Sequence, residues 1–259
     1  MKKRFQIILG IILGCILVCI LVPVSILLAS MNRIENENPG GIWLSGYYLN
    51  YYPNPTYFPD YEMTCTITSC VEHIPLSKEI NIPENIHAYR VTSIGYEAFR
   101  NSSMTSITIP DGVTSIDIRA FDRCQNLTSV TIPDSVESIG TSAFNFCVNL
   151  TSIALPDSIK SIGNQAFLNC NSLTNITIPD SVTCIANGVF YSCSSLTNIT
   201  IPSSVKSIGD EAFEGCTALT SITFEGTVAQ WNAISFGKEW RNNVPATEVI
   251  CSDGIVALN

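Results

Sequence analysis

Histidine is almost missing from this chain: 259 residues contain only His73 and His87. Chemistry that relies on imidazole therefore has little material, and both residues precede the regular part of the chain, where a surface or cap role accounts for them. Positive charge is scarce as well, with 13 Lys and Arg against 22 Asp and Glu and a formal net charge of −9. That balance excludes nucleic acid as a partner and gives no affinity for anionic lipid. Serine is abundant, yet no Gly-x-Ser-x-Gly elbow occurs, and no two cysteines have the Cys-x-x-Cys spacing of a metal site. The sequence thus offers no catalytic residue, no cofactor site and no metal site.

What the chain does have is periodicity. A 23-residue unit starts at Met104, Leu127, Leu150, Leu173 and Leu196 without a gap, and a sixth start at Leu219 leaves the pattern after Phe224. An opening repeat is legible in degraded form at Ile82-Pro83, Ile94-Gly95 and Ala98-Phe99. A fixed period of this length means a solenoid, in which no single turn buries its own apolar face and both ends need covers. Five to six turns at the strand spacing of a sheet predict a stack of roughly 25–30 Å.

Each column has a physical task. In the unit from Leu127, the residues Leu127, Val130 and Ile132 fill the interior behind a short strand, and a second extended piece is expected at Val136 to Ile139. Phe99, Phe121, Phe144, Phe167, Phe190 and Phe213 place one ring on every turn as a spine. Pro110, Pro133, Pro156, Pro179 and Pro202 end the strand, and the Asp or Ser after each suits the turn that follows. The Asp column (Asp111, Asp134, Asp157, Asp180) is explained by those turns, because one carboxylate per rung supplies too few ligands for calcium. Gly95, Gly140, Gly163 and Gly209 mark a close backbone approach, although Asp117 and Ala186 share the column and imply that it tolerates a side chain.

The run Ile-Pro-Asp-Ser-Val-x-Ser-Ile-Gly-x-x-Ala-Phe-x-x-Cys, repeated in this way, resembles the BspA-like leucine-rich repeat family over roughly residues 80 to 259. The resemblance implies a β-rich α/β leucine-rich-repeat solenoid with short parallel strands on each turn, little helix and a cap at both ends. It also implies adhesion to a protein or matrix ligand on a host or neighbouring cell.

The divisions expected are an anchor or signal segment at 1–31, a polar tether at 32–40, an aromatic-rich N-terminal cap at 41–79, repeats at 80–224 and a C-terminal cap at 225–259. Lys2, Lys3 and Arg4 precede an apolar run from Ile7 to Ala29, which is long for a signal-peptide core and suits a membrane span with an exported C-terminal body. Leu27 and Leu28 stand where a signal cleavage site usually has small residues, so an uncleaved anchor is favoured over a secreted form. In the C-terminal cap, Thr227 to Ile234 reads as a short amphipathic helix and Glu248 to Cys251 as a strand.

Five of the eleven cysteines, Cys124, Cys147, Cys170, Cys193 and Cys216, follow the repeat. One inward column of free thiols, acting as small apolar groups, explains them better than bridges, since five cannot pair off and identical stacked side chains rarely offer disulfide geometry. Cys65 and Cys70 could form a local pair, while Cys184 and Cys251 stand alone.

Function must then reside on a surface. Thr128, Ser129 and Thr131, with their counterparts on other turns, make a uniform hydroxyl face that is a weak basis for recognising one partner. Variation is greater beside the Phe column, and there Arg123, Phe146, Leu168 and Tyr191 are the candidate binding residues, because aromatic, apolar and guanidinium groups anchor interfaces. Two competing readings remain: a sugar-stacking platform within residues 43–61, formed by Trp43, Tyr47, Tyr48, Tyr51 and Tyr52, and an ice- or crystal-binding surface on the Thr columns.

Overall fold

The computed structural model describes residues 41–44, 47–53, 64–72 and 78–258. The segments expected to form the anchor and the tether lie outside these residues, as does His73. Of Trp43, Tyr47, Tyr48, Tyr51 and Tyr52 only the backbone is described. No helix among the described residues is long and apolar enough to cross a membrane.

The chain winds into a parallel-strand solenoid of about eight turns with little helix. It opens with β1 (Gly41–Leu44), β2 (Tyr47–Pro53) and β3 (Thr64–Glu72), joined antiparallel. The opening turn carries β4 (Glu79–Asn81), β5 (Asn85–Ile86) and β6 (Tyr89–Ile94), and β3 pairs with β6 in parallel, so the N-terminal strands extend one solenoid sheet. His87 sits in the exposed hairpin turn between β5 and β6 with φ +56°.

The turns from Met104 and Leu127 each hold two short strands, β7 (Ser106–Thr108) with β8 (Ser115–Ile116), and β9 (Ser129–Thr131) with β10 (Ser138–Ile139). The turn from Leu150 contributes β11 (Ser161–Ile162), the next β12 (Cys184–Ile185), and the turn from Leu196 β13 (Asn198–Ile201) and β14 (Ser207–Ile208). The leucine-type strand pairs β4-β7-β9 and, further on, β13-β15, where β15 is Ser221–Phe224.

Both sheets break near the middle of the stack. Thr151 to Pro156 form no strand, and Thr177 retains a single bridge to Thr200. On the other side β11 ends one sheet and β12 begins the next. Ala154 and Leu155 replace the usual Thr and Ile at the first gap, and Ala186 replaces Gly at the second. The added Cβ of Ala186 is not a sufficient cause, because Asp117 in the same column keeps its N–H bond to Ile94 O at 2.8 Å.

The glycine column is less tolerant than its exceptions imply. A Cβ at Gly140 would lie 2.6 Å from the carbonyl carbon of Asp117, and one at Gly163 2.5 Å from the backbone nitrogen of Thr141. Those rungs cannot take a side chain without displacing the turn below.

After Phe224 the chain completes another turn rather than only closing. Thr227 caps α1 (Val228–Asn232) through a capping box with Gln230, as its Thr-x-x-Gln sequence favours. Then β16 (Ser235–Phe236) pairs with β14, and β17 (Glu248–Cys251) pairs with β15 and with β18 (Gly254–Ala257). Trp240 accepts a hydrogen bond from Phe213 N–H at the position Ala212 holds for Phe190, so its ring meets Phe213 edge-on at 6.2 Å and ends the stack. Phe224, Trp231 and Phe236 complete this aromatic closure.

The core is one continuous apolar column set. Six Phe rings from Phe99 to Phe213 stack with centroids 5.1–5.7 Å apart and planes within 16°. Burying each ring is worth about 1.5–3 kcal/mol. Beside them Cys124, Cys147, Cys170, Cys193 and Cys216 are fully buried, and each thiol donates to the Phe carbonyl of the preceding turn at 2.9–3.2 Å. That carbonyl also accepts from a backbone N–H of its own turn, as Phe121 O does from Cys124, so the thiol takes a second lone pair that an alanine would leave empty. In the opening turn the buried Ser102 takes the same position.

No disulfide joins any two of the nine described cysteines. Cys65 and Cys70 do not pair, because five residues along β3 separate them by about 16 Å, far beyond disulfide reach. Denaturation under non-reducing conditions should expose all five periodic cysteines to an alkylating agent, and mass spectrometry should find each modified. A Cys147–Cys170 bridge, or any other within the column, would contradict the thiol ladder.

Candidate binding face

Besides its two sheets the solenoid has a third hydrogen-bonded side, and this one does not break. Phe99, Phe121, Phe144, Phe167 and Phe190 N–H each donate to the next turn at 2.7–2.9 Å. A flanking series from Asn101, Arg123, Phe146, Asn169, Ser192 and Gly215 does the same at 2.7–2.9 Å. The continuity comes from two left-handed residues per turn: one column runs Glu97, Arg119, Ser142, Gln165, Gly188 and Glu211, the other Asn101, Arg123, Phe146, Asn169, Ser192 and Gly215. At φ of +52 to +74° these residues turn the backbone so that successive N–H and C=O groups face adjacent rungs. Most are not glycine, and each such residue costs roughly 1 kcal/mol or more of local strain that the ladder must offset.

This third side holds the four candidate residues together. Arg123 and Phe146 are in contact, with the guanidinium carbon 5.5 Å from the ring centroid, an attractive cation–π arrangement. Leu168 and Tyr191 follow on the next two rungs, and all three apolar residues are half-buried, presenting one edge to solvent. Arg123 is exposed.

Beneath Arg123 lies a network that the sequence reading missed. Asp122 is 3% exposed, and its carboxylate accepts from Arg100 Nε at 3.0 Å and from Asn145 Nδ2 at 2.9 Å, with Arg123 Nε 3.9 Å away. A buried carboxylate so held is a fixed negative point that orients both arginines. Glu97 pairs with Arg100 at 3.2 Å and Arg119 at 3.3 Å. Desolvation is the largest single influence on the Glu97 carboxyl and raises it, but hydrogen bonds from Tyr96, Arg119 and Arg100 together with the Arg100 charge outweigh it, and its pKa falls below the ordinary glutamate value.

At the far end of the same side Glu211, Glu214 and Glu239 bring carboxylate oxygens within 4.8 Å of one another. These are the described residues with metal-like proximity, and two of the three are exposed. Only the column of left-handed positions could have disclosed this grouping, and no residue type marks that column.

The competing hydroxyl surface can be placed as well. Thr128, Thr151, Thr174, Thr197 and Thr220 each donate the side-chain hydroxyl to the backbone carbonyl one turn earlier at 2.9–3.5 Å. Ser135, Ser158 and Ser204 do likewise at 2.6–2.8 Å. These hydroxyls are tied into the stack, which removes part of the regular hydrogen-bonding array an ice-like lattice would require. A cleft of ≈ 450 Å³ lies along β8, β10 and β11, floored by Gly140 and Gly163 and flanked by the exposed Tyr96 and Ile118.

Comparison with known proteins fits this architecture. The family model for the BspA type leucine rich repeat region matches in six copies over residues 92–201 and 138–243. The chain belongs to that family. Among solved structures it is similar to a leucine rich repeat protein from T. pallidum, with 31% identity, a TM-score of 0.61, and coverage of 72% of this chain and 83% of that one. It is also similar to a leucine rich cell surface protein from Faecalibacterium prausnitzii, with 32% identity and a TM-score of 0.56, covering 71% of this chain and 54% of that one, about half its length. No curated protein matches the sequence at a comparable level.

Proposed function

We propose that this chain is a bacterial surface protein that works by binding a protein or matrix ligand on a host or neighbouring cell, without catalysis. The observation that carries this reading is the unbroken third side, where Arg123, Phe146, Leu168 and Tyr191 occupy successive rungs while the columns around them repeat. A rigid, regular scaffold that varies along one strip suits recognition, since a few anchors there can set affinity while the rest of the turn stays under packing constraint. The likeness to a leucine rich cell surface protein supports the location. So does the apolar run at residues 7–29, read as a membrane anchor with the body outside the cell.

Binding of the full chain to candidate surface proteins should depend on a few side chains. Phe146→Ala with Tyr191→Ala is expected to lower affinity by at least about tenfold, since interface anchors typically cost more than 1 kcal/mol on truncation. Thermal melts should show both variants folded. If affinity ignores these substitutions and instead falls gradually as whole turns are deleted, the uniform hydroxyl face is the binding surface. Retention on a glycan array would move the site to the segment 43–61.

A further inference from the structure

The cleft along β8, β10 and β11 is where the repeat gives way to surface. In the column that follows the glycines, Asn164, Asn187 and Asp210 each turn a side-chain oxygen to the backbone N–H of the next turn, at 3.2, 3.0 and 2.7 Å. Tyr96 and Ile118 hold that column on two earlier rungs and make no such bond, so the N–H groups of Ile118 and Thr141 donate to no described residue. Exposed apolar surface stands there instead, with Tyr96 59% and Ile118 47% exposed.

The glycine column is broken at the same place. A Cβ at Gly95 would meet Ile67 O at 2.7 Å and one at Gly140 the carbonyl carbon of Asp117 at 2.6 Å, yet the rung between them carries Asp117. Its carboxylate makes no hydrogen bond or ion pair with any described residue, and it is the single charged side chain lining the cleft. The hydroxyls of Ser138, Thr141 and Ser161 line the cleft too and bond to no described residue. Those of the Thr128 and Ser135 columns, by contrast, are tied into the stack.

We propose that this cleft is a second binding site, for a neutral saccharide. The C–H face of a sugar ring suits Tyr96 and Ile118. Its hydroxyls, each donor and acceptor at once, suit a set that mixes two N–H donors, the Asp117 acceptor and three hydroxyls. The volume of ≈ 450 Å³ is ordinary for a small-molecule site. An ammonium group has no acceptor and would leave both N–H groups unmet, while an anion would meet Asp117 and a chain of formal net charge −9. The site shares no residue with the strip of Arg123, Phe146, Leu168 and Tyr191, so it is independent of the reading of that strip as a protein-binding face.

The test uses the full chain in mild non-ionic detergent on an array of neutral and sialylated oligosaccharides, followed by calorimetric titration of the neutral glycan best retained. Retention alone does not choose between this cleft and the segment 43–61, so variants decide. The informative ones restore the repeat rather than break it. Ile118→Asn returns an acceptor to its column and Asp117→Gly returns glycine to its own, so both should melt at or above the wild-type temperature. Each should nonetheless weaken the glycan by at least about tenfold, the effect of losing one good contact. Neither should alter protein binding through Phe146 and Tyr191, and Trp43→Ala should leave glycan affinity unchanged. The proposal falls if no neutral glycan is retained, if sialylated glycans bind as well as neutral ones, or if both restored variants bind as the wild type does. Glycan binding lost in Trp43→Ala but kept in Ile118→Asn and Asp117→Gly would overturn it in favour of the segment 43–61.

Discussion

Replacing Phe167 with alanine should cost the solenoid about 3–5 kcal/mol, the usual range for deleting a buried aromatic ring. Its ring is fully buried and stacks on Phe144 at 5.5 Å and Phe190 at 5.7 Å, so the cavity opens against two turns at once. In a solenoid the terms that hold neighbours together are the ones that make a turn fold, and this substitution weakens one such interface on each side. The position also falls at the level where both sheets are interrupted, so the third side, the core and the threonine bonds carry the join between the two halves. Urea denaturation of wild type and variant measures the difference. A loss below about 1 kcal/mol would mean that the ring stack is not what couples the turns.

Alkaline pH should destabilise the fold well before any acid effect of similar size appears. Burial raises the thiols of Cys147, Cys170 and Cys193 well above the ordinary value, and burial pushes Cys216 up to about 12. The unfolded chain ionises these groups near pH 8.5–9, whereas the folded chain holds them neutral. A thiol whose folded pKa is raised contributes its full stability below the unfolded value and loses it as pH climbs toward the folded one. The window therefore runs from about pH 9 to about 12. At one unit above the unfolded value the loss is about 1.4 kcal/mol per thiol, or roughly 5–6 kcal/mol for four, comparable to the whole stability of many domains. Melting temperatures under reducing conditions should fall steeply between pH 8.5 and 10.5. Tyrosine ionisation also operates there, so Cys170→Ala supplies the control and should flatten the slope by about one thiol's share. An identical slope in that variant would remove the thiol column from the account.

The repeat columns were legible because burial recurs every turn with the same residue type. Leu127, Phe144 and Cys147 fill inward positions that leave little choice of side chain, and the fold class follows from their spacing. The left-handed columns were not legible. Glu97, Arg119, Ser142 and Gln165 share one backbone conformation and no chemistry, and glycine, the usual signal, appears there once, at Gly188. Without that column the grouping of Glu211 with Glu239 cannot be seen, although Arg123 and Phe146 could be chosen from variability alone. The last full turn was hidden because α1 lengthens it and Trp240 stands in the Ala column rather than the Phe column. At the N-terminus, a stretch rich in Tyr and Pro reads as a cap, while its backbone adds β1 to β3 to the parallel sheet.

The thiol, threonine and serine bonds between turns share one arithmetic property: each reaches back 22 to 26 residues, from one copy of a column to the turn before it. Duplicating a whole 23-residue unit in the gene would give the new turn a donor for the carbonyl below and a carbonyl for the donor above. Adding or losing residues within a unit alters only the bonds that span that one turn, as in the opening turn, where Thr114 reaches back 22 residues to Thr92, and the closing turn, where Lys238 N–H reaches back 28 to Asp210. Length is thus the variable this architecture leaves free to evolution. Lineages of such proteins should differ by whole turns, with the spacing between the first arginine rung and the last glutamate rung of the third side changing in steps of one strand separation.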